Sequence, residues 1–334
     1  MADSAAKTGR LATVFGGAGF VGRHIVRALA RDGWRIRVAC RRPDLAFHLQ
    51  PLGTPGQIHA VQANLRFPAS VAAAVAGADA VVNLPGILAE SGRQTFEGVH
   101  VSGARAVAKA ARDAGAVLLV HLSAIGADPG ATSLYAASKG RGEIAVREAF
   151  PGSTILRPSI IFGPEDDFFN RFAAMARVLP VLPLIGGGKT RFQPVYAGDV
   201  AEAAAKALAG GVPPATTLEL GGPEIKTFAE LIAYVCAVTG RRRLLASLPF
   251  GAAFLMAGGT ELATMLSLGL FPKMLAMTRD QVELLRHDTV VSDAAIAGRR
   301  TLEGIGIAPA TIEALVPAYL HRYRKTGQFE RREA

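Results

Sequence analysis

Phe15-Gly16-Gly17-Ala18-Gly19-Phe20-Val21-Gly22 follows an apolar run, Leu11 to Val14, and leads into the helix-patterned segment Arg23-His24-Ile25-Val26-Arg27-Ala28-Leu29. Strand, glycine turn and helix in that order form the setting in which a dinucleotide's pyrophosphate is gripped. Gly16 can turn the chain off the strand, Gly19 can bring the backbone near a phosphate, and Gly22 can let the helix pack closely on the sheet. The N–H groups at the helix start would then face the anion. The whole run, from Gly16 through Gly17, Ala18, Gly19, Phe20 and Val21 to Gly22, is therefore the candidate cofactor cradle. A glycine turn can also be purely structural, but the strand before it and the helix after it favour a ligand.

Outward from this turn, apolar strand candidates at Arg35–Cys40, Ile58–Gln62, Ala80–Leu84, Val117–Ser123 and Ser153–Arg157 alternate with alanine-rich helical stretches. The helical stretches are Ser70–Ala76, Thr95–Ala114 and Tyr135–Phe150. Such alternation predicts an α/β protein, a Rossmann-type doubly wound parallel sheet with helices on both faces. Beyond about residue 160, Gly/Pro-rich loops take over. We expect a core over 1–160 and a smaller mixed substrate or lid region over 161–334, with 193–220 returning to the core.

A chain of 334 residues, half of them hydrophobic, has room for both parts. Its two cysteines, Cys40 and Cys236, lie far apart and suit a reducing compartment. Residues Met1 to Arg10 are polar and carry no apolar signal core, so a cytoplasmic location is expected, and no metal. The net charge is +10, with 17 Lys/Arg against 10 Asp/Glu in residues 1–150 and 20 against 17 in the rest. Two basic clusters, Arg241-Arg242-Arg243 and Arg322, Arg324, Lys325, Arg331, Arg332, suit an anionic partner or a solvated face. No aromatic interleaving or recognition motif accompanies them, which argues against nucleic acid.

Arg41-Arg42 ends the second strand, about 20 residues beyond Gly22, where an NAD site normally carries an acid for the ribose 2′-OH. Guanidinium groups suit a 2′-phosphate instead, so NADP(H) is favoured over NAD(H). Tyr135-Ala136-Ala137-Ser138-Lys139 opens the helix after the fifth strand, and Ser123 ends that strand. Positions i and i+4 share a helix face, so the Tyr135 hydroxyl and Lys139 ammonium can converge. The ammonium is expected to lower the phenol's pKa into a useful range, while Ser123 holds a substrate oxygen. Lys139 can also bond the nicotinamide ribose.

Together these motifs resemble the extended and atypical short-chain dehydrogenase/reductase superfamily. By that resemblance Asn64-Leu65 stands where relatives carry Asp-Leu near the adenine, and Asn83-Leu84-Pro85-Gly86 replaces an Asn-Ala-Gly-like turn lining the cofactor. Arg157-Pro158-Ser159-Ile160-Ile161-Phe162-Gly163-Pro164 is similar to a segment that packs beside the nicotinamide, which gives Pro158, Ile160 and Ile161 a cofactor role. The run Glu165-Asp166-Asp167-Phe168-Phe169-Asn170-Arg171-Phe172, with Phe192-Gln193-Pro194-Val195-Tyr196 and Gly198-Asp199-Val200, narrows the resemblance. It points to the branch of the NADPH-binding accessory subunit of respiratory complex I (alpha subcomplex subunit 9) and its bacterial and ubiquinone-biosynthesis relatives, over about residues 11–325. Phe168, Asn170, Arg171, Arg191 and Gln193 become substrate candidates, and Asp199 a helix N-cap.

In the complex I subunits the resemblance implies a tightly held structural NADPH. This chain departs from the animal subunits by keeping Tyr135 and Lys139. The leading expectation is an NADP(H)-binding protein linked to complex I or quinone metabolism, with a Ser-Tyr-Lys triad suited to hydride transfer to or from a carbonyl or quinone. Two alternatives stand beside it: a non-catalytic complex I accessory or assembly protein, and a free soluble reductase, epimerase or dehydratase of a small molecule.

Leu244 to Thr260 carries no charge, and after Glu261 a second uncharged run reaches Pro272. A span needs ~20 apolar residues, and Pro249, Gly251, Gly258 and Gly259 interrupt this one. The expected alternatives are a lid and an interfacial or partner-binding element beside Arg241–Arg243, the latter placing the chain on an anionic membrane, peripherally on the inner face of the energy-coupling membrane. Thr278-Arg279-Asp280-Gln281 reads as a capping box for a helix over Arg279–Arg286, with Met277 and Val282 as a hydrophobic staple.

Overall fold

The computed structural model describes residues 9–267, 272, 274–325, 327 and 329. Arg331, Arg332 and the part of the second apolar run at 268–271 lie outside the described residues. The chain divides into two compact units, one of Met1–Pro158, Ala197–Leu220 and Val291–Ala308, the other of Ser159–Tyr196, Gly221–Val290 and Pro309–Ala334.

In the first unit, β1 (Leu11–Phe15), β2 (Arg35–Cys40), β3 (Ile58–Gln62), β4 (Ala80–Asn83), β5 (Leu118–Leu122) and β6 (Thr154–Pro158) form one parallel sheet. Their spatial order is β3-β2-β1-β4-β5-β6, and a Thr217–Leu220 strand closes the β6 edge, also parallel. This is a Rossmann-type doubly wound sheet. The chain steps outward from β1 to β3 and returns to β4 beside β1, so a crevice opens past the C-terminal ends of β1 and β4.

Strand periodicity explains the two faces. Leu11 and Phe15 of β1 pack into a core with Ala74, Val107, Ala108 and Ala111, while Ala12 and Val14, pointing the other way, are also buried. The helices are α1 (Phe20–Arg31), α2 (Pro68–Val75), α3 (Gly103–Asp113) and α4 (Leu134–Ala149). Alanines on α2 and α3 let those helices lie close to the sheet. The α2 C-terminus is tied down by Thr13 Oγ1 and Arg37 Nη1, which donate to the Ala74 carbonyl at 3.0 and 2.7 Å.

Three details differ from the sequence expectation. The stretch Thr95–Ala114 is not one regular helix: a π-helical turn at Glu97–Ser102 runs into α3. Asp199 lies inside the first turn of the Ala197–Leu208 helix, not at its N-cap. Residues 291–308 belong to the first unit, where Ser292 N–H donates to Glu219 Oε2 at 2.8 Å and Glu219 N–H to the Arg300 carbonyl at 2.9 Å.

The second unit holds short two-stranded pairs, among them Val181–Ile185 with Leu244–Leu248 in parallel. Its core gathers Phe162, Phe169, Phe192, Phe228, Leu182, Leu231 and Val316. The expected capping box is present: Thr278 Oγ1 accepts from Gln281 N–H, and the helix it starts spans Arg279–Leu284. Met277 and Val282 share a small cluster with Ala253 and Ala257. Those alanines lie on the inner side of a 17-residue helix, Phe250–Leu266. Its other side leaves Leu255, Leu262, Met265 and Leu266 exposed at 81, 57, 76 and 73 %. No described helix is long and apolar enough to cross a membrane.

Candidate active site

The glycine turn packs its own backbone too closely for side chains. Gly16 sits at φ +76°, in the left-handed region. A Cβ on Gly22 would lie 2.3 Å from the Gly16 carbonyl oxygen, so only glycine lets α1 start this close to the strand. Gly19 occupies the N-cap position, where no side chain caps α1 and no acid occupies its first turn. Amides of the first turn could take an outside anion such as a pyrophosphate. A Cβ on Gly16 would meet Leu84 and Pro85 at 3.4 Å, so the turn after β1 and the loop after β4 touch at the switch point of the sheet. The residues present fit a nicotinamide dinucleotide.

Arg41 and Arg42 are both exposed at the end of β2, but their surroundings differ. Arg42 is clamped on Asp44, with Nη2 to Oδ2 at 2.7 Å and Nε to both oxygens at 3.2 Å. Arg41 has no ion-pair partner among the described residues. Asn64 Oδ1 accepts the Arg66 N–H at 3.1 Å, which makes it a turn former, and Leu65 lies under Gly103.

Ser123, Tyr135 and Lys139 come to the C-terminal end of β5. Ser133 caps α4 by accepting the Ala136 N–H at 3.2 Å, and Tyr135 stands in that first turn. One turn on, the buried Lys139 donates from Nζ to the Leu122 carbonyl at 3.1 Å, one residue before Ser123. Ser123 itself is buried, its N–H fixed on the Leu156 carbonyl at 2.7 Å, and its Oγ has no partner among the described residues. A Cβ on Gly86 would lie 3.3 Å from Lys139 Nζ, which brings the loop after β4 to the same place.

The electrostatics correct the sequence expectation. Burial pushes the Tyr135 phenol up to about 12, and burial pushes Lys139 down to about 8 against the pull of Glu143. Lys139 Nζ lies 5.9 Å from the Tyr135 ring centroid, and desolvation outweighs its field at that range. Two neighbours, His100 and His121, had no spacing signal in the sequence, whereas Asn83 belongs to the segment singled out after β4. Asn83 Nδ2 and His121 Nδ1 lie 3.0 Å apart, both side chains buried, with Asn83 Oδ1 and His121 Nε2 unpaired among the described residues. His100 and His121 are each driven to about 3, first by burial and then by the nearby Lys139 charge. Lys139 is therefore the cation of this cluster.

Arg157 is held by Glu143 at 2.8 and 2.7 Å, a bidentate brace between β6 and α4, and Pro158 ends β6. In the second unit, Ile160 and Ile161 are partly buried, and Ile161 pairs with Val195. The proposed substrate residues are engaged in that unit. Phe168 packs on Phe169 and Phe172 with centroids 5.3 and 5.1 Å away. Asn170 Nδ2 donates to the Asp166 carbonyl at 2.9 Å, and its Oδ1 accepts from Arg322. Arg171 donates to the carbonyls of Met274 and Ala276, Arg191 pairs with Asp288 at 2.8 Å, and Gln193 donates to the Gly222 carbonyl at 2.7 Å. Of the basic clusters, Arg241, Arg243 and Arg324 brace the carbonyls of Tyr323, Ala176 and Val238, while Arg242 stays exposed.

The model of the NAD dependent epimerase/dehydratase family matches residues 12–218. Over 323 residues the chain is 33% identical to NADH dehydrogenase (ubiquinone) 1 alpha subcomplex subunit 9, mitochondrial, of Arabidopsis thaliana, covering 96% of this chain and 79% of that one. A ceramide reductase of Caulobacter vibrioides is 38% identical over 172 residues, 52% of this chain and 53% of that one. The solved NADPH complex of an NADPH-dependent quinone oxidoreductase from Escherichia coli superposes with a TM-score of 0.70 at 20% identity, covering 92% and 99% of the two chains, a likeness of fold.

Proposed function

Because the chain belongs to the NAD dependent epimerase/dehydratase family, we propose that it is an NADP(H)-binding oxidoreductase of complex I or quinone metabolism, working at the surface of the energy-coupling membrane. The cradle Gly16–Gly22 would hold the pyrophosphate, Arg41 the 2′-phosphate, and Asn64 and Leu65 the adenine side. Leu84, Pro85 and Gly86, with Pro158, would line the nicotinamide half. When bound, the cofactor supplies a hydride.

The protein's own part is orientation and proton transfer. Ser123 Oγ, buried and unpaired among the described residues, is available to a substrate carbonyl or quinone oxygen. Tyr135 would deliver its phenolic proton to that oxygen. A phenol held near 12 stays protonated at neutral pH, the form that can donate. Lys139 would bond the cofactor ribose, and its ammonium would balance the phenolate charge left when Tyr135 gives up its proton. The observation that carries this reading is Lys139 Nζ on the Leu122 carbonyl at 3.1 Å, adjoining the unpaired Ser123 hydroxyl.

Oxidation of NADPH with a short-chain ubiquinone, followed by absorbance, tests it. Tyr135→Phe should lower turnover by about 100-fold or more with NADPH affinity retained. Equal turnover in the variant would contradict the assignment. A second reading, a non-catalytic accessory protein with built-in NADPH, is supported by the complex I relatives and by the absence of any acidification of Tyr135. It predicts NADPH that survives purification and resists every carbonyl or quinone supplied.

The uncharged outer side of the Phe250–Leu266 helix supports membrane contact. At 17 residues with a buried inner side, such a helix would lie along the surface of a bilayer.

A further inference from the structure

We propose that His100 is a positioning residue that locks the loop after β4 to the helix carrying Tyr135 and Lys139, and that it does so as a neutral imidazole with its proton on Nδ1. The assignment follows from the direction of three hydrogen bonds. Ile87 N–H can only donate, and it points at His100 Nε2 from 3.0 Å, so that nitrogen carries the lone pair. The ring proton is then on Nδ1, 2.8 Å from Ser138 Oγ. Ser138 passes the direction on by donating to the Tyr135 carbonyl at 2.8 Å. One file of donors thus runs from the loop, through the imidazole, to the first turn of α4.

Packing fixes the ring in this role. The imidazole stands edge-on to the Tyr135 ring, centroids 5.5 Å apart at 87°, and lies against Phe96 at 5.6 Å. The π-helical turn at Glu97–Ser102 delivers it, and α4 meets that turn at backbone contact: a Cβ on Gly142 would be 2.2 Å from the His100 carbonyl oxygen. A Cβ on Gly86 would lie 3.7 Å from His100 Nε2 and 3.3 Å from Lys139 Nζ, so loop, imidazole and ammonium share one corner. Protonating Nε2 would break the Ile87 bond and place a second cation beside Lys139. The ring is buried, and both effects keep it neutral.

The proposal rests on the reading that a dinucleotide lies on Leu84–Gly86, and its test separates the two. An Asn amide nitrogen can stand in for Nδ1, and a Gln amide oxygen can stand in for Nε2. His100→Gln should therefore keep the Ile87 bond and bind NADPH within about threefold of the unmodified protein. His100→Asn should lose that bond, weaken NADPH about tenfold and speed hydrogen exchange at the Ile87 amide. In the unmodified protein, 15N imidazole shifts should show the Nδ1–H tautomer for His100 with no titration between pH 5 and 8. An Nε2–H tautomer or a titration near 6.5 would overturn the proposal, as would equal NADPH affinity and equal Ile87 exchange in the two variants. If the unmodified protein binds neither NADPH nor NADH, the proposed function falls, while the tautomer and the Ile87 exchange still decide the role of His100.

Discussion

Arg41 and Arg42 stand side by side, yet the protein uses only one of them for itself. Asp44 engages Arg42 at 2.7 Å, so on the proposed function Arg41 is the guanidinium that would meet a 2′-phosphate. A charge-assisted bond of this kind contributes about 1.5–3 kcal/mol. Arg41→Ala should accordingly weaken NADPH by roughly 10- to 100-fold, leave NADH almost unchanged, and exceed the effect of Arg42→Ala, as read by fluorescence titration. Equal losses for NADPH and NADH would remove the 2′-phosphate from the account. Sequence alone treated the pair as equivalent, because a carboxylate two residues on has no fixed geometry until the turn is built. His100 and His121 were illegible for a related reason. A lone histidine in an apolar stretch has no spacing to announce it, and only the pairing of β4 with β5 brings His121 to Asn83.

At the scale of elements, the glycine turn and the strands around it were readable because their signals are local. Apolar runs buried on both faces mark the central strands, and three glycines mark the turn. The break in the helix before α3 was not readable, since alanine-rich composition fits a π-helical turn as well as a regular one. Arg157 shows the same limit: the sequence places it only as the first residue of the segment around Pro158, and the fold shows it braced to Glu143. Removing Glu143 leaves the partly buried Arg157 with only Glu219, 3.9 Å away, so Glu143→Ala should cost about 1–3 kcal/mol in chemical denaturation. A cost under about 1 kcal/mol would mean that water reaches the guanidinium freely. The Phe250–Leu266 helix makes a separate prediction. Leu255→Glu with Leu262→Glu should leave NADPH binding intact and abolish flotation with vesicles containing anionic lipid. Undiminished flotation would place the membrane contact elsewhere.

Across the whole molecule, burial of ionisable groups at one end of the sheet ties stability to pH. His100 and His121 are near 3 when folded and about 6.5 when unfolded. Between those values the unfolded chain binds more protons, so stability falls as pH drops from about 6.5 toward 3. Each histidine contributes a slope of up to about 1.4 kcal/mol per pH unit. His121→Gln should remove roughly half of that slope between pH 6 and 5 in denaturation curves, and an unchanged slope would show that the carboxylates govern the acid limb. The doubly wound order itself was legible from strand–helix alternation, whereas the return of 291–308 to the first unit was not, because that stretch carries no strand or long helix. On the proposed function, the turn after β1 grips a dinucleotide bearing a 2′-phosphate. Calorimetric titration of the purified protein with NADPH and with NADH measures it directly: we predict one site per chain for NADPH and at least tenfold weaker binding of NADH. A flat trace with both nucleotides would contradict it.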